Sequence, residues 1–381
     1  MLDTLQKEKC CGCYACVAAC PRHCITMVRD DEGFEYPQRD DTICISCGIC
    51  EKVCPVTIDK PNFVYGDTVA FGAVNRDEAV RKGSSSGGAF SLIAEYVIGC
   101  GGVVFGATFD ENFEVVHDYV DSIDNLCRLR GSKYVQSRIG DTYTQAKAFL
   151  DEGKTVLFTG TPCQIAGLKS ALRCEYDNLI CQDVACHGVP SPLVWKKYVE
   201  CRQRKARSPL TKMAFRCKES GWQSYSVKFE FNNGKTYKVR AFKDAYMKAF
   251  GENLSLRPSC YACEFKSNNY FSDITLADFW GVQHVAPEMH DDRGTSLVVV
   301  RTEKGRALFE KLKDKLLFSQ VNIEEALRYN GAMLKSANEP TKRETFFDNL
   351  NNISFDFAVK NCCKKSSIAK RIINRIKRIF K

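Results

Sequence analysis

Apolar positions along this chain come in short runs broken by Gly, Pro and charged residues, and their spacing switches repeatedly between strand-like and helix-like. Residues 68–74 read as a strand. KGSSSGG at 82–88 is a loop that opens a helix over 89–98. Residues 102–109 and 114–120 read as strands that pair, and a helix is expected over 141–150, ending near Gly153. TVLFT at 155–159 has the continuous apolar character of a buried strand. It passes through Gly160-Thr161-Pro162 into a helix over 163–172, where Pro162 suits the first turn because its missing N–H costs little there. A strand over 178–184 and a helix over 192–204 follow. From Met213 to Arg240 the pattern is strand-rich, with Asn233-Gly234 as a hairpin turn. Strands at 273–277 and 296–301 and helices at 303–315 and 324–330 complete the pattern. This alternation predicts an α/β core with some antiparallel sheet.

The first 54 residues follow a different rule. Their cysteines stand as Cys10-x2-Cys13-x2-Cys16-x3-Cys20-Pro21 and again as Cys44-x2-Cys47-x2-Cys50-x3-Cys54-Pro55. This doubled run is the bacterial ferredoxin spacing for two 4Fe-4S clusters, in which the fourth ligand of each cluster comes from the other run. Cys10, Cys13, Cys16 and Cys54 are therefore assigned to one cluster, and Cys20, Cys44, Cys47 and Cys50 to the other. A zinc site takes its cysteines in pairs, so it does not explain two runs of four. Cys11 and Cys24 fall outside the pattern and read as packing residues.

Composition narrows the class. The chain has 381 residues, 22 of them Cys, with no export signal ahead of the cysteine runs, so a reducing cytoplasm and an oxygen-sensitive protein are expected. No apolar run approaches the ~20 residues that span a bilayer. The net charge of +9 is a tail property: residues 360–381 hold nine Lys or Arg and no acid. A nucleic-acid partner is therefore not expected.

Scattered residues carry further chemistry. Cys163 and Cys186 each follow a predicted strand, and Cys260-x2-Cys263 lies beyond. Strand ends in an α/β sheet converge on one edge, where ligands bind, so these four thiols are candidates for a third 4Fe-4S cluster. Spacing alone leaves open a zinc site or four unrelated buried thiols. Ser84-Ser85-Ser86-Gly87-Gly88 opens a helix and suits a phosphate, although a simple N-cap turn reads the same way. Lys133 and Tyr134 would add a charge and a stacking ring, and His187 beside Cys186 is a candidate proton donor. No G-x-G-x-x-G fingerprint stands at a strand-to-helix turn.

The ordered motifs SSSGGAFS (84–91), KYVQS (133–137), GTPCQIAGL (160–168), CHGVPSP (186–192), FRCKESGW (215–222), the C-x2-C pair and ITLADFWG (274–281) resemble the beta subunit of coenzyme F420-reducing hydrogenase and dehydrogenase. The resemblance runs from about residue 65 to about 335. It implies FAD in the central domain, contacted by Ser86, Gly87, Gly88, Lys133 and Tyr134, with Cys163, Cys186, Cys260 and Cys263 holding a cluster beside it. Members reduce a deazaflavin, a chlorophyll precursor or other acceptors, so the resemblance does not name the substrate.

The expected fold is α+β: a bacterial-type two-cluster ferredoxin domain over 1–60, then an α/β flavin-binding domain with mixed sheet. That second domain divides into an N-terminal part over 65–150 and a C-terminal part over 151–340. A basic amphipathic tail occupies 341–381. In its segment 366–381, isoleucines and Phe380 share about 140° of a helical wheel, which suits an anionic membrane surface or a partner protein. The expected function is an iron–sulfur flavoprotein oxidoreductase that passes electrons between a ferredoxin-like donor or partner subunit and an organic substrate. The expected location is the cytoplasm, extending to the inner face of the membrane. The alternative is an electron-transfer subunit with no substrate of its own.

Overall fold

The computed structural model describes residues 6–61, 68–267 and 269–363. The cysteine-rich segment is compact. Short helices α1 (Ala15–Ala18) and α2 (Ile49–Lys52) bracket an antiparallel hairpin of β1 (Ile25–Arg29) and β2 (Glu35–Arg39). The chain then enters β3 (Val69–Asn75), α3 (Glu78–Gly83) and α4 (Ala89–Gly99). The pair β4 (Val103–Phe109) and β5 (Val115–Val120) leads to α5 (Thr142–Asp151). Next come β6 (Val156–Gly160), α6 (Pro162–Leu172), β7 (Leu179–Val184) and α7 (Pro192–Ala206). β8 (Leu210–Cys217), β9 (Ser226–Phe231) and β10 (Thr236–Arg240) precede α8 (Ala245–Gly251), and β11 (Ile274–Asp278), β12 (Ser296–Val300) and β13 (Leu316–Val321) close the strand set.

Eight strands form one sheet in the order β13-β3-β12-β11-β7-β6-β4-β5. The inner four, β11, β7, β6 and β4, run parallel, and the outer pairings are antiparallel. Parallel strands need both faces covered, which is why β6 and β7 read as continuous apolar runs. One face is packed by α4 and the helix Glu303–Leu312 through Leu92, Ile93, Leu308 and Phe309. The other is packed by α5 and α6 through Tyr143, Ile165 and Leu168. The mixed α/β sheet behind a ferredoxin-like unit is the architecture the patterning predicts.

One feature departs from the sequence pattern. β13 lies where the pattern assigns no element, between the helices expected over 303–315 and 324–330; it is an edge strand with Leu317 and Phe318 exposed, so its alternation is weak. One sheet takes β3, β4 and β5 from before residue 150 and its other strands from after 151, with α5 spanning that boundary. A separate three-stranded antiparallel sheet, β10-β9-β8, packs with α7, α8 and the helices Arg343–Asn352 and Phe355–Cys362 around Trp195, Tyr198, Phe229 and Phe355. The basic segment 366–381 lies outside the described residues, as does most of the expected linker over 58–67. Among the described residues no helix is long and apolar enough to cross a membrane.

The ferredoxin-like unit is built into this body. Tyr14 joins the core formed by Tyr143, Ile165 and Leu168, and Phe34 joins that of Val194 and Trp195. Arg29 makes a fork to Glu114 at 3.1 and 2.8 Å, and Glu32 pairs with Arg343.

Candidate iron–sulfur and flavin sites

The first thiol set surrounds the loop that leads into α1. Cys10, Cys13, Cys16 and Cys54 line a small cavity of about 20 Å³, closed by Met27 and Pro37. Gly12 and Tyr14 have φ of 65° and 66°, and these left-handed turns let three cysteines face one volume. Cys10 and Cys13 are buried. Burial pushes the Cys16 thiol up to about 12, and the charges of Cys10 and Cys54 push in the same direction. Such thiols ionise when a cation takes the place of the proton.

The second set lies on the far side of α1. Cys44 and Cys50, together with Cys16, pack around Cys20, Cys24 and Ile25, and Cys47 is exposed. The Ser46 N–H donates to Cys44 Sγ at 3.5 Å. Cys24, which the spacing leaves out, has its sulfur 3.4 Å from that of Cys20.

The third set is assembled by the sheet. β6 and β7 are parallel neighbours with Gly160 opposite Asp183, so the turns after them leave the same edge. The first turn delivers Cys163 and the second Cys186. α6 begins with a capping box of Thr161 and Gln164, and Thr161 Oγ1 lies 3.2 Å from Cys163 Sγ. Cys260 and Cys263 arrive on the short turn Pro258–Ala262 and the residue after it. All four line one cavity of about 200 Å³ with His187 and Cys11. Burial pushes Cys186 up to about 12 and raises Cys260 and Cys263. Lys266 opposes this at Cys186 and Cys263; its ammonium donates to the Cys186 carbonyl and to that of Ala332. His187 hydrogen-bonds Asn253 Oδ1 at 2.6 Å through its Nε2 and packs edge-on against Phe250. Among the described residues no three His, Cys, Asp or Glu side chains converge on a single-ion position. A four-iron cluster takes one thiolate at each iron, so its ligands surround a volume and do not share a point.

The residues expected at a flavin are only partly together. The Ser84–Gly88 loop meets the chain just before the KYVQS segment: the Ser132 N–H donates to Ser85 Oγ at 2.7 Å. Gly88, at φ 88°, begins α4 with no side-chain cap. Ser86 Oγ is committed to the Thr295 carbonyl at 2.7 Å, and the Gly87 N–H to Ser296 Oγ at 3.0 Å. Lys133 Nζ donates to the carbonyls of Arg128, Leu129 and Arg130, so its charge closes that turn and is not presented to the serine loop. Tyr134 stacks on Phe250 at 5.1 Å. The cations beside the loop are Arg216, paired with Asp278 at 3.0 Å, and Lys218, which donates to the Ser86 carbonyl at 2.9 Å. Burial lowers Lys218 to about 8, with the charges of Arg81 and Arg216 acting the same way.

Comparison with known proteins supplies the class. Residues 9–58 match a 4Fe-4S dicluster domain, and residues 153–326 match the C terminus of the coenzyme F420 hydrogenase/dehydrogenase beta subunit. This chain joins an N-terminal 4Fe-4S dicluster domain to a C-terminal domain of the coenzyme F420 hydrogenase/dehydrogenase beta-subunit type. One subunit of the F(420)H(2) dehydrogenase of Methanosarcina mazei is 23% identical over 339 residues, covering 82% of this chain and 85% of that one. One subunit of the NADH-quinone oxidoreductase of Geobacter metallireducens is 44% identical over 55 residues, covering 13% of this chain and 42% of that one. Among solved structures, a chain of the F420-reducing NiFe hydrogenase complex of Methanosarcina barkeri overlaps with a TM-score of 0.47 at 18% identity, covering 71% of this chain and 91% of that one.

Sequence reasoning passes over residues that join the sites. Cys11 lines both the first and the third cavity. Its adjacency to Cys10 was the available signal. Gly167 of α6 touches Cys13, and Arg257 reaches Cys10. A glycine inside a helical pattern signals close packing, whereas nothing local marks Arg257.

Proposed function

We propose that this chain is a flavin-dependent iron–sulfur reductase in which two ferredoxin-type clusters sit beside a third cluster at the sheet edge. The clusters would each hold single electrons, and FAD would convert them into hydride chemistry on an organic substrate. Cys10, Cys13, Cys16 and Cys54 are the proposed ligands of the first cluster, and Cys20, Cys44, Cys47 and Cys50 those of the second. Cys163, Cys186, Cys260 and Cys263 are the proposed ligands of the third. The observation that carries the reading is Cys11, whose side chain borders the first and third thiol sets at once. Two redox sites that share a wall suit electron exchange.

The chain's own residues do the positioning. Thr161 and Gln164 fix the turn that presents Cys163. Lys266 brings a positive charge to the third set, which favours thiolates there. His187, held by Asn253, borders the same cavity and is the proposed proton donor. The loop at Ser86, Gly87 and Gly88 is the proposed flavin site, supported by the uncapped start of α4 and the neighbouring cations Arg216 and Lys218. Lys133 closes the 128–130 turn, and Tyr134 packs on Phe215 and Phe250.

The exposed Cys47 favours a docking redox partner at the second set, so a relay without its own substrate is the second reading. Turnover of the isolated, anaerobically reconstituted chain separates the two. A reductase oxidises a chemical electron donor with saturable dependence on a small organic acceptor. A relay exchanges electrons with a ferredoxin-type protein and shows no saturable acceptor kinetics.

A further inference from the structure

Arg257 is a large charged side chain that is 0% exposed. Its Nε donates to the Cys10 carbonyl at 2.7 Å. One terminal nitrogen donates to Gln136 Oε1 at 3.0 Å, and the other to the Glu35 carbonyl at 2.9 Å. That second nitrogen also lies 3.7 Å from Cys10 Sγ. The guanidinium face covers the Tyr36 ring at 4.3 Å. Its oxygen partners are carbonyls and an amide, none of them a carboxylate. A buried cation of this kind is costly unless an anion lies against it. The group placed to be that anion is the Cys10 sulfur.

We infer that the Cys10 thiolate is the counter-charge of Arg257, and that Arg257 thereby sets the reduction potential of the iron–sulfur group at Cys10, Cys13, Cys16 and Cys54. The inference rests on the cluster reading of those four thiols. A positive charge and an N–H pointing at a ligand sulfur stabilise the reduced, more negative state, which raises the potential. The charge is felt most at Cys10, reaches Cys163 and Cys260 of the third set more weakly, and has no such neighbour at the second set. At the second set the sulfur neighbours are the Cys24 thiol and the Ser46 N–H.

The loop is shaped for this contact. A Cβ at Gly12 would stand 2.7 Å from an Arg257 terminal nitrogen, so only glycine lets the guanidinium lie against the cysteine loop. The same residue ties in the third set, because the Arg257 carbonyl accepts from the Cys260 N–H at 2.9 Å. Arg257 is thus a positioning residue between two thiol sets that come from distant parts of the sequence.

The test is a redox titration of the full-length, reconstituted protein followed by EPR. In Arg257→Gln, the midpoint of one reduced four-iron signal should move furthest to more negative potential, and at least one other signal should hold. In Arg257→Lys, which keeps the charge and loses the fork, the move should be smaller. Unchanged potentials in Arg257→Gln at wild-type iron content overturn the inference. A second measurement needs no substitution in the core. Wild-type protein labelled with guanidino-nitrogen-15 arginine should show a nitrogen-15 coupling in the pulsed EPR of one reduced centre, and its absence from every centre overturns the inference. Iron analysis keeps the two levels apart: a wild-type chain that takes up no iron at the N-terminal thiols removes the cluster reading itself.

Discussion

His117 shows how a single buried side chain reports on this fold. It stands on β5 with Nε2 2.9 Å from the Thr159 carbonyl, its ring stacked on Phe158, and its Nδ1 without a partner. Burial pushes its pKa down to about 4. The unfolded chain binds that proton near ~6.5, so stability is complete above that value and is lost as pH falls toward 4. The loss amounts to at most about 3 kcal/mol. Urea denaturation of the anaerobic protein at pH 7 and pH 5 should show a smaller drop in His117→Gln than in wild type. Equal drops would mean that His117 is not the titrating group. The same scale shows what a sequence hides. The eight regularly spaced cysteines are legible because their ligand loop is local. Arg257 and Cys10 are 247 positions apart, and no spacing rule reaches that far. Lys133 looked like a free cation in KYVQS, yet three carbonyls made by the preceding turn enclose it.

At the scale of elements, α6 links the sheet to the cysteine loop. Its first turn carries Cys163, and its Gly167 faces Cys13. A Cβ at Gly167 would lie 2.8 Å from Cys13 Cβ and 3.1 Å from its sulfur. Gly to Ala inside a helix ordinarily stabilises by about 1 kcal/mol. Here Gly167→Ala should instead lower the thermal midpoint and reduce the iron bound at the first set, with far-UV circular dichroism unchanged. A more stable variant with full iron would show that the contact does not matter. Most elements were legible because their patterns are strong: β6 and β7 are buried on both faces, and α6 is marked by Pro162 and its capping box. β13 was not legible, since an edge strand with an exposed face after a helix lacks both the run and the turn residues that mark the others. The short hairpin of β1 and β2 was hidden for a related reason, because its strands are mostly half-exposed and include Pro37.

At the scale of the molecule, one sheet edge gathers Cys163 and Cys186, a short turn brings Cys260 and Cys263 to them, and the ferredoxin-like unit closes the far wall with Cys11. The convergence of the strand ends could be read in the alternation of strands and helices, because parallel neighbours release their loops on the same side. The seating of the ferredoxin-like unit could not, since it depends on contacts such as Glu32 with Arg343 and Phe34 with Trp195 that join distant parts of the chain. The account's central claim is that three thiol sets, beside a flavin loop, make one redox body. The measurement that tests it most directly is iron and flavin stoichiometry on protein purified and reconstituted without oxygen. The account predicts about twelve irons and one FAD per chain. About eight irons with no flavin would contradict it, leaving the N-terminal pair alone as a ferredoxin-type relay.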